Sequence, residues 1–217
     1  MIDPHATNQP RKFVLGVSGA SGAAYSLRFL QAVLEQGHEL HLVVSEYGRR
    51  LLFEESGIKH LTIEELAPGL AGDAAIRSRL FVHPDKDVGA VIASGSFLHS
   101  GMAILPCSST TLGQVATGSG SNLLCRAAMV TLKERRPLII CHREMPLSLI
   151  DIENMRQATL AGAVMCSPNP GFYLNPRSVE EIVDFVVGKV MDLLHVPHSL
   201  KTRWESTLAR PATTMPS

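Results

Sequence analysis

Short apolar runs alternate along this chain with longer stretches whose apolar residues recur every three or four positions. Lys12 to Val17 (KFVLGV) reads as a buried strand. SGASG (Ser18 to Gly22) then turns into a helix running to about Gln36, with Ala24, Leu27, Leu30 and Leu34 as its apolar spine and Gly37 as its stop. Glu39 to Val44 is a second strand. Ser45 is placed as the N-cap of a helix through Leu51, Leu52 and Glu55 that ends at Gly57. From Ile58 to Asp87 the signal weakens: Thr62 to Glu65 fits a capping box, and Arg79 to His83 a strand. Met102 to Pro106 is a clear strand, followed by a Ser/Thr cluster and a helix. Asn122 to Arg135 is a helix, Pro137 to Cys141 a strand, Leu147 to Leu160 a helix closed by Gly162, and Ala163 to Cys166 a strand. Ser178 to Leu194 is the last long helix. Val179, Ile182, Val183, Val186, Val190 and Leu193 keep helical spacing there, with Phe185, Val187 and Met191 adding apolar area beside them.

Apolar strands alternating with helices predict an α/β protein with a mainly parallel sheet covered on both faces, a three-layer α/β/α arrangement. The 217 residues fit one domain, 1–217, with no internal repeat, low-complexity segment or linker. A chain this long buries roughly 70% of its unfolded surface and needs no disulfide or metal staple. Lys+Arg and Asp+Glu are 20 each, so nothing draws the chain to nucleic acid as a whole, and anion binding must come from local sites. No apolar run approaches the roughly 20 residues of a membrane span, and MIDPHATNQPRK carries no secretory-type apolar stretch. No membrane partner and a cytoplasmic location are therefore expected. Cys107, Cys125, Cys141 and Cys166 form no CxxC and read as reduced, buried thiols. The balanced charge also favours self-association.

Ligands of open α/β sheets bind beyond the carboxyl ends of the strands. Four polar clusters fall there: SGASG, Ser45, CSSTT (Cys107 to Thr111) and HRE (His142 to Glu144). SGASG offers N–H groups at a helix start and glycines that admit a phosphate, or is a tight turn with no ligand. Its Gly16, Gly19 and Gly22 are spaced GxxGxxG, which is neither the dinucleotide fingerprint nor a Walker loop. CSSTT suits a phosphate or a ribityl chain as well as simple N-capping. The absence of GxSxG argues against a serine hydrolase. The nine His form no HExxH or other tight pair, which disfavours a metal site. Cys107 is a nucleophile or a buried thiol. Arg126 and Lys133, seven apart on one helix face and with Arg126 amid apolar neighbours, suggest an anionic partner.

SGASGAAYSLRFL, PCSSTTLGQVATGSGSNLLCRAAMVTLKERRPLII, HREMPLSLIDIENM, and NPGFY followed by SVEEIVDFVVGKVMDLL resemble the UbiX-type flavin prenyltransferases, formerly described as aromatic acid decarboxylases. The likeness runs in order from about Phe13 to Trp204. It implies a flavodoxin-like, Rossmann-like fold and a homo-oligomer, a dodecamer. It also implies a metal-independent reaction that joins a dimethylallyl group from dimethylallyl phosphate, or the diphosphate, to reduced FMN at flavin N5 and C6. The prenylated FMN then passes to a separate UbiD-type decarboxylase.

The resemblance implies FMN contacts from Gly19, Ala20, Ser21, Ser45, Ser108, Ser109, Thr110, Thr111 and Arg143. It implies prenyl-phosphate contacts from Arg126, Lys133, Glu144, Tyr173 and Lys189. Glu55, Lys133, Glu144, Tyr173 and Trp204 form the implied catalytic set. Cations and the Tyr173 hydroxyl suit a departing phosphate, and Glu144 can orient them or donate a proton. An indole at Trp204 suits an allyl cation, and Glu55 can take the proton lost at C6 or relay one near N5. Lys189 stands where many members have Arg, which removes a bidentate fork. His142 and Asp151 also depart from the family, which often has Pro and His there. Outside the resemblance, residues 1–11 and 205–217 read as peripheral tails. The rival readings are a flavin-dependent cysteine decarboxylase, which leaves TLKERRPL and GFY unexplained, and a non-enzymatic flavin carrier.

Overall fold

The computed structural model describes residues 9–200 and Thr202. Its six strands are β1 (Lys12–Val17), β2 (Glu39–Val44), β3 (Leu80–Pro84), β4 (Gly101–Cys107), β5 (Leu138–His142) and β6 (Val164–Met165). The helices are α1 (Ala23–Glu35), α2 (Glu46–Ser56), α3 (Ile63–Leu66), α4 (Ala74–Arg77), α5 (Ser109–Thr117), α6 (Leu123–Lys133), α7 (Leu149–Leu160) and α8 (Val179–Leu193). All neighbouring strands are parallel, in the order β3-β2-β1-β4-β5-β6. The order reverses between β1 and β4, which opens a crevice at their carboxyl ends.

Strand periodicity sorts the side chains to two faces. Phe13, Leu15, Leu40, Leu42, Leu105 and Ile139 belong to one core, with residues of α1, α2 and α8. Val14, Val43, Met102, Ile104 and Ile140 belong to the other, with residues of α5, α6 and α7. Each such side chain fully buried contributes about 2 kcal/mol. Three layers result, as the alternation predicts.

The helices differ in detail from the predicted stripes. In α1, Ala24 is exposed and Leu27 half-buried, and the core face is Ala23, Phe29, Leu30, Val33 and Leu34. The helix is rotated because it meets both the sheet and α8, where Arg28 Nε donates to Asp184 Oδ1 at 2.7 Å. In α8 the buried set is Val183, Val186, Val187, Val190 and Met191, whereas Val179 is exposed. Gly188 lies against His198 and Thr202, which extends the covered face of α8. Thr62 makes no side-chain cap. The Glu65 carboxylate instead accepts the Lys59 and His60 N–H groups at 2.5 and 2.9 Å, two bonds where a capping box would give it one.

The other caps form as expected, Ser45 accepting from Gly48 N at 3.1 Å and Asn122 from Cys125 N at 3.0 Å. Arg11 is tied down, its Nη2 donating to His195 O at 2.6 Å. Cys107, Cys125 and Cys141 are buried and Cys166 is half-buried, and all four are free. Among the described residues no helix is long and apolar enough to cross a membrane.

Candidate functional site

The four polar clusters meet at the crevice. Ser18 joins the exits of β1 and β4: its N–H donates to Pro106 O at 3.1 Å, and its Oγ accepts from Ser108 N at 2.8 Å. Ser45 N donates to Val17 O at 2.9 Å, and Arg143 N to Cys107 O at 3.1 Å. The exits of β2, β1, β4 and β5 are thereby laced edge to edge. A Cβ on Gly48 would lie 2.5 Å from Val17 O, so only glycine lets α2 start this close to β1. At the start of α5, Ser108 Oγ accepts from Thr111 N at 3.3 Å and lies 3.2 Å from Thr111 Oγ1. Thr110 is exposed beside them.

The SGASG turn is partly occupied from within. Glu55, on α2, accepts from Gly22 N at 2.9 Å and Ala23 N at 2.8 Å, while Ala20 N is bound to Ser18 O. Gly22 has φ 132° and no side chain to cap α1, so Glu55 supplies the cap. Part burial pushes the Glu55 carboxyl up. The Ala23 and Gly22 N–H groups, the Ser21 hydroxyl and the Arg143 charge outweigh this and hold it below the ordinary carboxylate range. The expected free N–H groups are thus reduced, and Gly19 and Ser21 remain as the open part of the turn.

Two features escape sequence reading. Tyr25 is half-buried beside Gly22 and within the field of Arg143; burial raises its phenol pKa and Arg143 opposes that rise. The spacing from Ser21 to Tyr25, one helical turn, was its only signal. The second is a buried polar group behind the Arg143–Glu144 loop. Ser109 Oγ lies 3.0 Å from His142 Nε2, and Asp151 Oδ1 lies 3.7 Å from the same nitrogen. His142 and Asp151 are among the few buried polar side chains.

The remaining predicted residues are not all gathered here. Arg143 and Glu144 follow β5 and are exposed, with Glu144 Oε1 accepting from Met145 N at 3.0 Å. Tyr173 sits in a 3-10 turn (Phe172–Leu174) with its ring edge-on to Phe185, centroids 5.7 Å apart. A cavity of about 360 Å³ opens next to it, between Gly171, Arg177, Glu181 and Phe185. Lys189 is exposed on α8, near Cys166 just past β6; the Cys166 thiol pKa is lowered to about 7 by its hydrogen bond with Cys141, against burial, with the Lys189 charge adding to it. Arg126 is exposed on α6. Lys133 ends that helix, pairs with Glu134 and lies by Gly95, at the end where β5 begins. Seven residues of helix separate it from Arg126, about 10 Å. One chain therefore does not bring Lys133 to its own crevice. Trp204 lies outside the described residues. Cys107 is fully buried and its thiol pKa is raised by that burial, which leaves it no nucleophilic role. No group of three or more His, Cys, Asp or Glu among the described residues is placed to hold a metal ion.

Residues 2–191 match the family model described as Flavoprotein. A flavin prenyltransferase UbiX from Thermoplasma acidophilum is 42% identical over 193 residues, 89% of this chain and 99% of that protein. The chain belongs to the flavin prenyltransferase family. Its fold agrees with a crystal structure of AnUbiX in complex with FMN and dimethylallyl pyrophosphate, at TM-score 0.80 and 34% identity over 90% of this chain and 98% of that one. A dodecameric FMN-dependent UbiX-like decarboxylase from Escherichia coli O157:H7 matches at TM-score 0.77 and 38% identity, over 89% and 98% of the two chains.

Proposed function

We propose that the chain transfers a dimethylallyl group from dimethylallyl phosphate or diphosphate to reduced FMN. Carbon bonds form at flavin N5 and C6 as the N5–H, C6–H and allylic C–O bonds break; one of the two protons passes to the former alkene carbon, and the other leaves with phosphate. The observation that carries this reading is the lacing of four polar strand exits, through Ser18, Ser45, Ser108 and Arg143, into one crevice at the switch point. FMN binds there as a substrate, against Gly19, Ala20, Ser21, Ser45, Ser108, Ser109, Thr110, Thr111 and Arg143.

Departure of phosphate from carbon places negative charge on oxygen, and fixed cations and donors stabilise it without reorganising. Arg126, Lys133, Lys189 and Tyr173 take that part, with Glu144 holding the cations in place. Glu55 enters as an ionised carboxylate, the form that accepts a proton, and the indole of Trp204 is the group assigned to stabilise the allyl cation. A cysteine decarboxylase reading leaves TLKERRPL and GFY without a purpose. A passive flavin carrier has no need of Lys133, Glu144 and Tyr173.

The position of Lys133 at the far end of α6 supports a homo-oligomer, a dodecamer like its relative, in which α6 of one copy reaches the crevice of another. Leu149, Ile150 and Ile152 on α7 are exposed apolar side chains that such contacts would cover. The protein works in the cytoplasm without a metal, and its product passes to a UbiD-type decarboxylase.

Anaerobic incubation with reduced FMN and dimethylallyl phosphate, followed by mass spectrometry of the extracted flavin, tests the reaction. A five-carbon increment that requires the protein and survives chelator supports the proposal. Unchanged FMN with both the monophosphate and the diphosphate, when flavin is bound, refutes it.

A further inference from the structure

The loop 143–148 carries Arg143 and Glu144, and both of its ends are fixed by one buried network. His142, the residue before the loop, is 2% exposed; Asp151, three residues after it, is 5% exposed. Asp151 Oδ2 accepts from Ser148 N at 2.9 Å and Ser148 Oγ at 2.6 Å, and Asp151 N donates back to Ser148 Oγ at 3.1 Å, a complete capping box that fixes the loop's far end. The near end is held by His142 Nε2, 3.0 Å from Ser109 Oγ on α5 and 3.7 Å from Asp151 Oδ1. The Ser109 hydroxyl, ahead of Ser148, holds the Asp151 carboxyl pKa down to about 2, which ties the three groups together.

The chemistry fixes the protons. An unprotonated Nε2 would turn its lone pair toward a carboxylate 3.7 Å away, which places the hydrogen on Nε2, donating to Ser109 Oγ. Ser109 and the carboxylate address the same nitrogen. A nucleophilic triad needs the acid on the opposite ring nitrogen, so this group is no hydrolytic relay. Burial disfavours the imidazolium, though Asp151 and Glu144 oppose that effect and Arg143 adds to it. What is left is a neutral, directional clamp joining α5, β5 and α7.

We propose that His142 and Asp151, bridged by Ser109, are positioning residues that set the 143–148 loop, and with it Arg143 and Glu144, for the transfer reaction. The proposal rests on the reading above, in which those two side chains meet FMN and the prenyl phosphate. A group held through a second layer of hydrogen bonds loses its working geometry when that layer is cut, even though it remains present itself.

The test is FMN affinity by fluorescence titration, together with prenyl-transfer kcat, on the full chain. His142→Phe keeps bulk but removes the donor, and it is expected to weaken FMN binding and lower kcat by roughly tenfold or more. His142→Gln puts an amide N–H near the Nε2 position and is expected to restore most of both. Asp151→Asn, which keeps the shape and removes the carboxylate, should move both quantities in the same direction as His142→Phe. Its combination with His142→Phe should be no worse than the poorer single variant, because one circuit is broken once. Parent-like values for His142→Phe or Asp151→Asn would overturn the proposal. So would additive losses, or a folded His142→Gln as impaired as His142→Phe. If His142→Phe fails to fold, Asp151→Asn and His142→Gln decide alone. Failure of the parent itself to bind FMN would sink the underlying reading, which separates the two cases.

Discussion

Glu55 on α2 caps the first turn of α1 by accepting the Gly22 N–H at 2.9 Å. Gly22 has no side chain to do this itself, and its φ of 132° disfavours any residue that has one. One carboxylate thus fixes the SGASG turn and stands at the edge of the crevice. Glu55→Ala should lower stability by about 1 kcal/mol, the scale of a lost cap, in urea denaturation. Because its pKa is depressed in the folded chain, this contribution is present above the unfolded value near 4.5 and fades as pH falls below it. A parent and variant that differ equally at pH 7 and pH 3 would contradict the assignment. Prenyl transfer should fall along with stability, since the turn and the acid are lost together.

Gly48 sets how closely α2 approaches β1. Gly48→Ala would place a methyl carbon 2.5 Å from Val17 O, in a contact that backbone atoms on both sides must relieve. Helix propensity alone would favour Ala by about 1 kcal/mol. The clash should reverse that sign and leave a net loss of about 1–3 kcal/mol, the range for overpacking. It should also displace Ser45 and weaken FMN binding. Increased thermal stability in Gly48→Ala would show that α2 can move away freely.

Much of this was readable in advance, for definite reasons. Strands such as Met102 to Pro106 announce themselves because both faces are buried, and helix starts at Ser45, Asn122 and Ser178 because a short polar side chain meets a free N–H. Which face of α1 or α8 turns inward was not readable, because two neighbours share each helix and both are distant in sequence. The Glu55 cap joins residues 33 apart, and the link between Ser109 and His142 spans 33 as well. Local pattern contains no record of such pairs. The crevice residues were found because they follow strands. Arg126 and Lys133 of α6 were named together, but the separation of Lys133 from the crevice within one chain appears only in three dimensions.

Acid should destabilise the protein well above the carboxylate range. His41 is buried, with Nδ1 2.9 Å from His83 Nε2 and its ring stacked on Phe81. Burial and the neighbouring His83, opposed by Glu39, bring its pKa down to about 4. The unfolded chain takes up a proton at His41 near pH 6.5 and the folded chain resists until about pH 4. Stability should therefore fall as pH drops through that window and level off below it. Thermal melts from pH 7.5 to 4 should show this slope, and His41→Gln should flatten it. An unchanged slope in the variant would place the proton uptake elsewhere.

Lys133 provides the test of how the site is assembled. It pairs with Glu134 at the C-terminal end of α6, near Gly95 and the start of β5, whereas the crevice lies at the opposite, carboxyl ends of the strands. Lys133→Ala should abolish prenyl transfer while leaving FMN affinity nearly unchanged, because its charge acts on the leaving phosphate. Ser21→Asp should do the reverse, adding a carboxylate beside Glu55 and repelling an anionic flavin from an intact α6. If each crevice borrows α6 from another copy, mixed oligomers of the two variants contain some crevices with a normal turn and a normal Lys133. Unfolding, mixing and refolding the two inactive proteins together should then restore a fraction of parental activity. Each variant refolded alone should stay inactive. No recovery in mixed oligomers of confirmed composition would mean that Lys133 serves its own chain, and that α6 moves to reach it.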